Sequence, residues 1–325
     1  MSGEKPGGDE FELIARHFAP LARDPGARGL RDDAALIEGE SRLVVTTDAI
    51  VEGVHFLPAD PIATVAQKAL RVNLSDLAAK GARPLCVLVT LIWPAARPAA
   101  QIADFARGLG EDLARFDLRL LGGDTTATPG PLTVSVTAFG APIGARTPAR
   151  ADASPGEDLW ITGVIGDGAA GLKALTAPAG IAPADLAYLT ARYRTPEPRT
   201  AFAGAVAALA GAAMDVSDGL IADAGKMAAA ADAALEIEAA LAPSSPAARR
   251  VLPDLSSRLT GGDDYEILFT AAPAARAAVM AAGAAAGVAV TRIGRVVAGA
   301  GVTARGADGT LLSFARAGHV HRLGR

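Results

Sequence analysis

The sequence predicts an α/β protein built from two domains. Its 325 residues exceed the length of one average domain, and strand-like and helix-like segments alternate along the whole chain. Residues 141–157 are dense in proline, glycine, alanine and arginine and have no periodicity, which is typical of a connection between domains. We therefore expect one domain over residues 1–145 and a second over residues 146–325.

The elements of the first domain follow from apolar spacing and from helix-end signals. Apolar residues at helical spacing predict an amphipathic helix over 9–22, and the β-branched run RLVVTTD predicts a buried strand that ends at Asp48. A helix is expected from Pro61 to Lys80, because proline suits a first helical turn and Gly81 suits the position after the last; Asn73 and Asp76 then share one face. Further elements predicted in this half are strands over 85–93, 118–121 and 132–140 and a helix over 98–115.

The second domain shows the same mixture of elements. The run DLWITGVI predicts a strand from Asp158, and YEILFT predicts another. Helices are predicted over 200–213, 217–231 and 274–286, and strands near 288–297.

Gly166 to Gly171 match the G-x-G-x-x-G pattern of dinucleotide-binding turns, but a lone match is weak evidence. Dinucleotide binding also requires an acidic residue about twenty positions later at the end of a strand. Asp185 has nearly that spacing, yet its surroundings, APADLAYLT, are not strand-like. A glycine-rich turn from strand to helix, with the helix N-terminus near an anion, is the better interpretation.

Composition and charge exclude several classes of function. The net charge is −4 with no basic tract, which argues against nucleic acid as a partner. The longest apolar stretches are short and rich in alanine and glycine, and the N-terminus lacks the apolar segment of a secretory signal, so we expect a cytoplasmic protein without membrane partners. The single cysteine, Cys86, excludes a disulfide or a multi-thiolate metal site within one chain.

Acidic residues recur beside glycine or hydroxyl residues at the ends of apolar segments. Each group on its own could be a turn or a helix cap, but together they favour a site for hard cations such as Mg²⁺. Converging carboxylates repel one another, so several divalent ions would be needed if the groups meet. The chain has five lysines and no P-loop motif, so metals and backbone amides would carry most of the charge opposite a phosphate. The six groups are Asp32-Asp33, Thr46-Thr47-Asp48, Asn73 with Asp76, residues 122–126 (GGDTT), Asp215 with Ser217 and Asp218, and residues 261–266 (GGDDYE).

The four histidines give weaker signals. His17, His319 and His321 are expected on the solvated surface. His55 follows Asp48 and Glu52 in a glycine-containing segment, so it could face a ligand or be a structural residue. No Ser-His-Asp or Cys-His signature is present, and covalent catalysis is not indicated.

Eight motifs, taken in order, resemble those of the thiamine-monophosphate kinase family, in the aminoimidazole ribonucleotide synthetase-like superfamily of ATP-using enzymes. They are DEFELIARHF, RDDAAL, TTDAIVEGVHF, KALRVNLSDLAAKGARP, LLGGDTT, GDGAAGL, MDVSDGL and GGDDYEILF. The resemblance implies two domains, each a mixed sheet flanked by helices, with residues 1–145 binding ATP and Mg²⁺ and forming the dimer. It implies ATP-dependent conversion of thiamine monophosphate to thiamine diphosphate by a homodimer with its active site near the partner subunit.

The resemblance also implies residue roles. Those at magnesium-binding positions are Asp32, Asp33, Thr46, Thr47, Asp48, Asp76, Asp124, Asp215 and Asp218. ATP contacts are implied for Gly123, Asp124, Arg150 and Ser217, substrate contacts for His55, Asp263 and Phe314, and a catalytic role for Asp48, Asp124 and Asp215.

Three positions depart from the family pattern. Arg31 stands where the family usually has glycine, and Asp263 where glutamate is common. The tail reads Gly-His-Val-His-Arg from Gly318 and lacks the usual aromatic residues, so Phe314 is the candidate to stack on the thiamine rings.

The hypothesis is direct in-line transfer of the ATP γ-phosphoryl group to the substrate phosphate, which needs no general base because it is largely dianionic at neutral pH. Three alternatives remain at this point. One is activation of another oxygen or selenium acceptor, although the N-terminal region has no cysteine for selenide chemistry. The others are a non-enzymatic sensor of nucleotide or thiamine phosphates, and a protein in which the aspartates only form caps and turns.

Overall fold

The computed structural model describes residues 14–24, 39 and 42–319, and the chain separates into two compact units. Unit 1 contains residues up to 77 together with 84–141, and unit 2 contains 78–83 together with the residues from 142 onward. The described part of the predicted N-terminal helix is a π-helical turn, Ile14–Phe18, followed by a 3-10 turn, Ala19–Leu21. The predicted positions Arg31, Asp32, Asp33 and His321 lie outside the described residues.

Unit 1 is built on a four-stranded mixed sheet with the strand order β1-β4-β2-β3. Strand β1 is antiparallel to β4, and β2 is parallel to β3. The helix predicted over 61–80 and the strands predicted over 85–93 and 132–140 are confirmed, with ends shifted by a few residues, and the strand predicted over 118–121 extends to Thr128. The buried strand predicted to end at Asp48 is wrong in two respects, because β1 continues to Val51 and, as an edge strand, is mostly exposed or half-buried. The elements are β1 (Val44–Val51), α1 (Ile62–Ala79), β2 (Ala82–Pro94), α2 (Gln101–Arg115), β3 (Arg119–Thr128) and β4 (Thr133–Pro142).

The two helices of unit 1 are joined by a buried ion pair. The Arg71 guanidinium on α1 donates to both carboxylate oxygens of Asp112 on α2, at 2.6 and 2.8 Å. Gly108 lets the helices approach closely, because a Cβ there would lie 2.2 Å from the carbonyl oxygen of Ala63. One face of the sheet is buried, as in the alternating Val134, Val136 and Ala138 of β4, while the residues between them are half-buried.

Unit 2 contains a six-stranded mixed sheet with the order β10-β7-β9-β5-β8-β6. Only the pairing of β10 with β7 is parallel among the pairings described. Its elements are β5 (Asp158–Thr162), α3 (Asp167–Thr176), α4 (Pro183–Arg194), α5 (Ala203–Leu209), β6 (Ala213–Val216), α6 (Leu220–Ala231), β7 (Ala234–Glu238), α7 (Pro246–Val251), α8 (Leu255–Leu259), β8 (Glu266–Ala271), α9 (Arg276–Ala286), β9 (Val290–Val297) and β10 (Gly301–Arg305).

Both faces of this sheet are buried. Leu159 and Ile161 of β5 belong to one apolar cluster, and Trp160 between them belongs to a second, where it stacks on Phe269 of β8. A strand that is covered on both faces needs apolar residues at every position rather than at alternate ones. This explains the consecutive apolar residues LWI in β5 and ILF in β8.

The predicted fold class, two α/β parts each with a mixed sheet flanked by helices, is confirmed. The predicted helix over 200–213 is wrong at its end, because the helix stops at Leu209 and Ala213 begins β6, which pairs with β8. An alanine-rich run has no period that separates a helix from a buried strand, so only the pairing partner decides. Among the helices of the described residues, none has the length and apolar character needed to cross a membrane.

Candidate active site

Predicted site residues of unit 1 meet where β1 lies against α1. The Thr46 hydroxyl donates to Asp76 Oδ2 at 2.6 Å, and the backbone N–H of Asp48 donates to Asn73 Oδ1 at 3.0 Å. Asn73 is fully buried, and its amide nitrogen donates to the carbonyl oxygen of Ala69 one turn earlier in α1. The prediction that Asn73 and Asp76 share a helix face is confirmed, and that face is turned toward β1.

The hydroxyl of Thr47 lies on the other face of β1, because successive side chains of a strand alternate. It donates to the carbonyl oxygen of Val136 at 3.1 Å and accepts a hydrogen bond from its register partner Thr137 at 3.1 Å. The structure therefore groups Thr46 with Asp76 and separates Thr47 from both.

Asp124 is exposed on β3, directly after a glycine that the strand requires. A Cβ on Gly123 would lie 1.8 Å from the carbonyl oxygen of Val89 on β2, next to an irregularity in the pairing of these strands. Asp124 is in register with the half-buried Thr90 of β2. Glycine at 123 is therefore a condition for placing the Asp124 carboxylate where it is.

The structure does not bring Asp48 and Asp124 together within unit 1. Asp48 belongs to β1 and Asp124 to β3, and these strands are the two edges of the sheet. Three strand spacings separate them, or about 14 Å along the sheet. A single ion cannot be held by both carboxylates at that separation.

His55 is held on two sides by its own unit. Its Nδ1 accepts a hydrogen bond from the backbone N–H of Val51 at 3.0 Å, and its carbonyl oxygen accepts one from the Lys68 ammonium at 2.8 Å. Because Nδ1 is an acceptor here, the proton of the neutral ring is on Nε2. Lys68 is only 1% exposed, so the segment around His55 is anchored from inside the unit.

In unit 2, the motifs MDVSDGL and GGDDYE form two loops in contact. The backbone N–H of Asp263 donates to the carbonyl oxygen of Ser217 at 2.9 Å. Gly219 has φ +116°, and a Cβ there would lie 2.8 Å from the carbonyl carbon of Thr260. The predicted residues Ser217 and Asp263 are thus brought together although 46 positions separate them in the sequence, and Asp215 is buried in the strand that leads into the first loop.

The first of these loops is held by two charged side chains of α6. Asp223 is fully buried, and its Oδ2 accepts hydrogen bonds from the backbone N–H groups of Ser217 and Asp218, at 3.0 and 2.9 Å. The Lys226 ammonium donates to Asp223 Oδ1 at 2.6 Å and also to Asp218 Oδ2. Burial raises the pKa of the Asp223 carboxyl, against the opposing effect of Lys226.

The second loop carries two residues with left-handed backbone conformation. Asp263 has φ +68° and Tyr265 has φ +53°, which is uncommon for residues other than glycine. The Tyr265 hydroxyl donates to Asp263 Oδ1 at 3.1 Å, and the Tyr265 backbone N–H donates to the carbonyl oxygen of Val216. These bonds fix the orientation of the Asp263 carboxylate.

Asp264 points the other way and caps α3. Its carboxylate accepts hydrogen bonds from the backbone N–H groups of Gly166 and Gly168, at 2.8 and 3.0 Å, and burial raises its pKa well above the ordinary value. The anion at the N-terminus of α3 is therefore a side chain of this chain. The interpretation of residues 166–171 as a glycine-rich turn from strand to helix is confirmed.

Glu266, the last residue of the motif, is fully buried among cations. It accepts hydrogen bonds from Arg199, with Nε at 2.6 Å, from Arg192 at 3.1 Å and from the Thr162 hydroxyl at 2.8 Å. This network anchors the end of the second loop in the unit.

Two further positions of unit 2, Arg150 and Phe314, were predicted to take part, and His319 was predicted on the solvated surface. Arg150 is exposed in a 3-10 turn, Arg150–Asp152, that packs against α6. Phe314 is half-buried and packs against an apolar cluster of the unit. The backbone N–H of His319, whose side chain is exposed, donates to the carbonyl oxygen of Asp218 at 2.9 Å, so the C-terminal segment reaches the first loop.

The donor set fits magnesium in its chemistry. Carboxylates and threonine hydroxyls are hard oxygen ligands of the kind Mg²⁺ takes. In the part of the chain that the structure describes, no three His, Cys, Asp or Glu side chains lie close enough to hold a metal ion. The magnesium-binding roles of these residues stay predictions.

Sequence reasoning missed Asp223, Lys226, Tyr265 and Lys68. Tyr265 stands inside a recognised motif, so its position was a usable signal. Asp223 and Lys226 lie in an alanine-rich helix where a charged pair three residues apart usually means a solvated face. Asp223 and Lys226 support the loop that precedes α6, and no local pattern in the sequence reveals that contact.

The comparison with family models and solved structures agrees with this architecture. Residues 31–141 match the model described as "AIR synthase related protein, N-terminal domain", and residues 154–306 match "AIR synthase related protein, C-terminal domain". A thiamine-monophosphate kinase structure from Stenotrophomonas maltophilia has a TM-score of 0.81 and 39% identity, covering 93% of this chain and 97% of its own. The class of protein is therefore that of the AIR synthase related proteins.

Curated relatives narrow this class. The thiamine-monophosphate kinase of Caulobacter vibrioides is 45% identical over 306 residues, 91% of this chain and 86% of the relative, and that of Escherichia coli K12 is 41% identical over 89% of this chain and 90% of the relative. A further solved structure, "AaThiL complexed with AMPPCP and TMP", has a TM-score of 0.75 and 28% identity, covering 86% of this chain and 87% of its own. The chain belongs to the thiamine-monophosphate kinase family.

Proposed function

We propose that this protein transfers the γ-phosphoryl group of ATP to thiamine monophosphate and so forms thiamine diphosphate. The observation that carries the proposal is the identity of 41–45% to thiamine-monophosphate kinases over 89–91% of the chain. The solved relative in complex with an ATP analogue, AMPPCP, and with TMP supports the same pair of substrates.

The proposed reaction requires that the two phosphate-bearing substrates be positioned and that their negative charge be neutralised. The substrate phosphate is itself the nucleophile, and since its second pKa is near 6 it is largely dianionic at neutral pH. We therefore assign no general base, and we propose direct in-line transfer without a phosphorylated enzyme. The task of the protein is to hold two polyanions in line.

We propose that oxygen donors among the predicted site residues hold the metal ions. When bound, Mg²⁺ would neutralise the phosphate charges and hold the transferred group in line. Thr46 and Asp76 are already joined by a hydrogen bond, and Asn73 fixes the backbone of Asp48. The proposed ligands are Asp32, Asp33, Thr46, Thr47, Asp48, Asp76, Asp124, Asp215 and Asp218, of which Asp48, Asp124 and Asp215 are proposed as catalytic.

Other residues are proposed to contact the substrates directly. Gly123, Asp124, Arg150 and Ser217 would contact the nucleotide. Asp263 and His55 would face thiamine monophosphate, each oriented by a hydrogen bond within its own unit. Phe314 is proposed as the aromatic contact for the thiamine rings. It packs against the apolar cluster of the unit but is only half-buried.

A homodimer is proposed as the active form. The sheet of unit 1 has two edge strands, β1 and β3, and a face on which Val45 is 54% exposed. Unpaired sheet edges favour pairing with a second chain. Because Asp48 and Asp124 lie on opposite edges of this sheet, we propose that the partner subunit completes the site.

The test is an assay of purified protein with MgATP and thiamine monophosphate, in which thiamine diphosphate is followed by fluorescence after oxidation. The wild type should form product, and D124N should lose turnover by at least about a hundredfold while keeping its melting temperature. D117N is the matched control, because Asp117 is exposed in unit 1 with φ +53°, a conformation that asparagine adopts readily.

Two outcomes would contradict the proposal. Binding of both ligands without formation of ADP would indicate a sensor rather than a kinase. Trapping of a phosphorylated enzyme after brief incubation with labelled ATP would exclude direct transfer.

A further inference from the structure

We propose that Lys226 is a built-in counter-ion of the Asp218 loop, and that a divalent cation binding at Asp218 must displace its ammonium group. The inference rests on the proposed function, because it takes Asp218 as a metal ligand. It concerns a residue of α6 to which neither the motifs nor the resemblance assign a role.

The Lys226 ammonium group lies between two carboxylates. It donates to those of Asp218 and Asp223, and its side chain is 40% exposed. An accessible ammonium group between two carboxylates occupies a position that a metal cation would also favour.

The surroundings explain why a cation is needed there. Asp223 is fully buried and uses its Oδ2 to hold the backbone of Ser217 and Asp218, so its carboxylate is committed to the shape of the loop. Asp218 is beside it, with its side chain 28% exposed. Two neighbouring carboxylates repel each other, and Lys226 offsets this repulsion.

The two carboxylates that Lys226 contacts differ in their exposure to solvent. Asp223 is fully buried and supports the loop, whereas the side chain of Asp218 is 28% exposed. A divalent cation carries twice the charge of an ammonium and competes for the same Asp218 oxygen. The ammonium can give up Asp218 and keep Asp223, so the loop stays supported when the cation binds.

The measurement is a Mn²⁺ titration followed by electron paramagnetic resonance of free Mn²⁺, on the full chain with saturating AMPPCP. K226M removes the charge while keeping an unbranched side chain, and K226R keeps the charge. We expect the weakest resolved Mn²⁺ dissociation constant to fall about fivefold in K226M, as for loss of an exposed ion pair of about 1 kcal/mol, and to stay near the wild-type value in K226R. The melting temperature of K226M without divalent cations should fall.

D218N makes the test specific. The substituted side chain carries no charge, so D218N and the double variant D218N/K226M should bind Mn²⁺ with the same dissociation constants, because Lys226 no longer competes with the cation for Asp218. An unchanged or weaker dissociation constant in K226M, an equal effect in the D218N background, or the absence of Mn²⁺ binding would overturn the proposal. The titration involves no turnover, so failure of the kinase assay with this Mn²⁺ result intact would refute the proposed function separately.

Discussion

Replacing Glu266 by glutamine should destabilise unit 2 strongly. The Glu266 side chain is fully buried and faces Arg199 and Arg192, whose side chains are only 17% and 14% exposed. Glutamine keeps the size but removes the charge, so Arg199 loses the buried carboxylate that it contacts, and Arg192 keeps only its longer contact with Asp167 at 3.5 Å. Breaking a buried ion pair by removing one partner costs about 3–5 kcal/mol.

This free energy converts into a measurable shift of the melting temperature. For a unit of roughly 150–250 residues, each kcal/mol lowers the midpoint by about 2–4 °C. E266Q should therefore melt about 6–20 °C below the wild type by differential scanning calorimetry, in the transition that belongs to unit 2.

A more exposed ion pair of the same sheet supplies the control. Glu236 on β7 bonds Arg295 at 2.7 Å, but its side chain is 35% exposed and that of Arg295 is 65% exposed. Exposed pairs contribute about 1 kcal/mol or less, so E236Q should shift the midpoint by at most about 4 °C. Equal shifts in E266Q and E236Q would refute the argument from burial.

Three further predictions follow from single contacts. G123A should lower the free energy of unfolding by about 3 kcal/mol or more in urea titration, because its Cβ would meet the Val89 carbonyl oxygen. G122A should have a small effect, because the nearest atom to its Cβ would be a Leu88 methyl carbon at 3.6 Å. Equal losses in the two variants would contradict this. The hydrogen bonds from Arg276 lower the pKa of Asp158, so its contribution to stability is present above the unfolded pKa and is lost as pH falls through the folded one. The melting-temperature gap between wild type and D158N should therefore be present at pH 7 and narrow below about pH 4, and a constant gap would contradict the assignment. Burial and the bond to Asp167 raise the pKa of Tyr188 to about 12, so Y188F should leave the 295 nm absorbance titration unchanged below about pH 11; a loss of signal near pH 10 would show an ordinary phenol.

The local patterns of the sequence were sufficient for most individual elements. The helix α1 was predictable because Pro61 and Gly81 mark its ends, and Asn73 and Asp76 on one face follow from the helical period alone. The ordered motifs were also sufficient for the resemblance to the family. These signals are local, and each depends on a few neighbouring residues.

Tertiary structure decided how these pieces meet. Strand order places Asp48 and Asp124 on opposite edges of one sheet, and no local pattern specifies strand order. Within GGDDYE, alternate residues point to different sides, so that Asp264 caps α3 while Asp263 bonds Tyr265.

The sequence by itself therefore determined the fold class, the main elements and the residue types available for phosphate and metal chemistry. Only the tertiary structure decided which carboxylates are caps, which are paired with cations and which remain for ligands. The physical reason is that a carboxylate serves equally as a helix cap, an ion-pair partner or a metal ligand. Its role is set by the donors that the folded chain brings to within hydrogen-bond distance, as Lys226 is brought to Asp218.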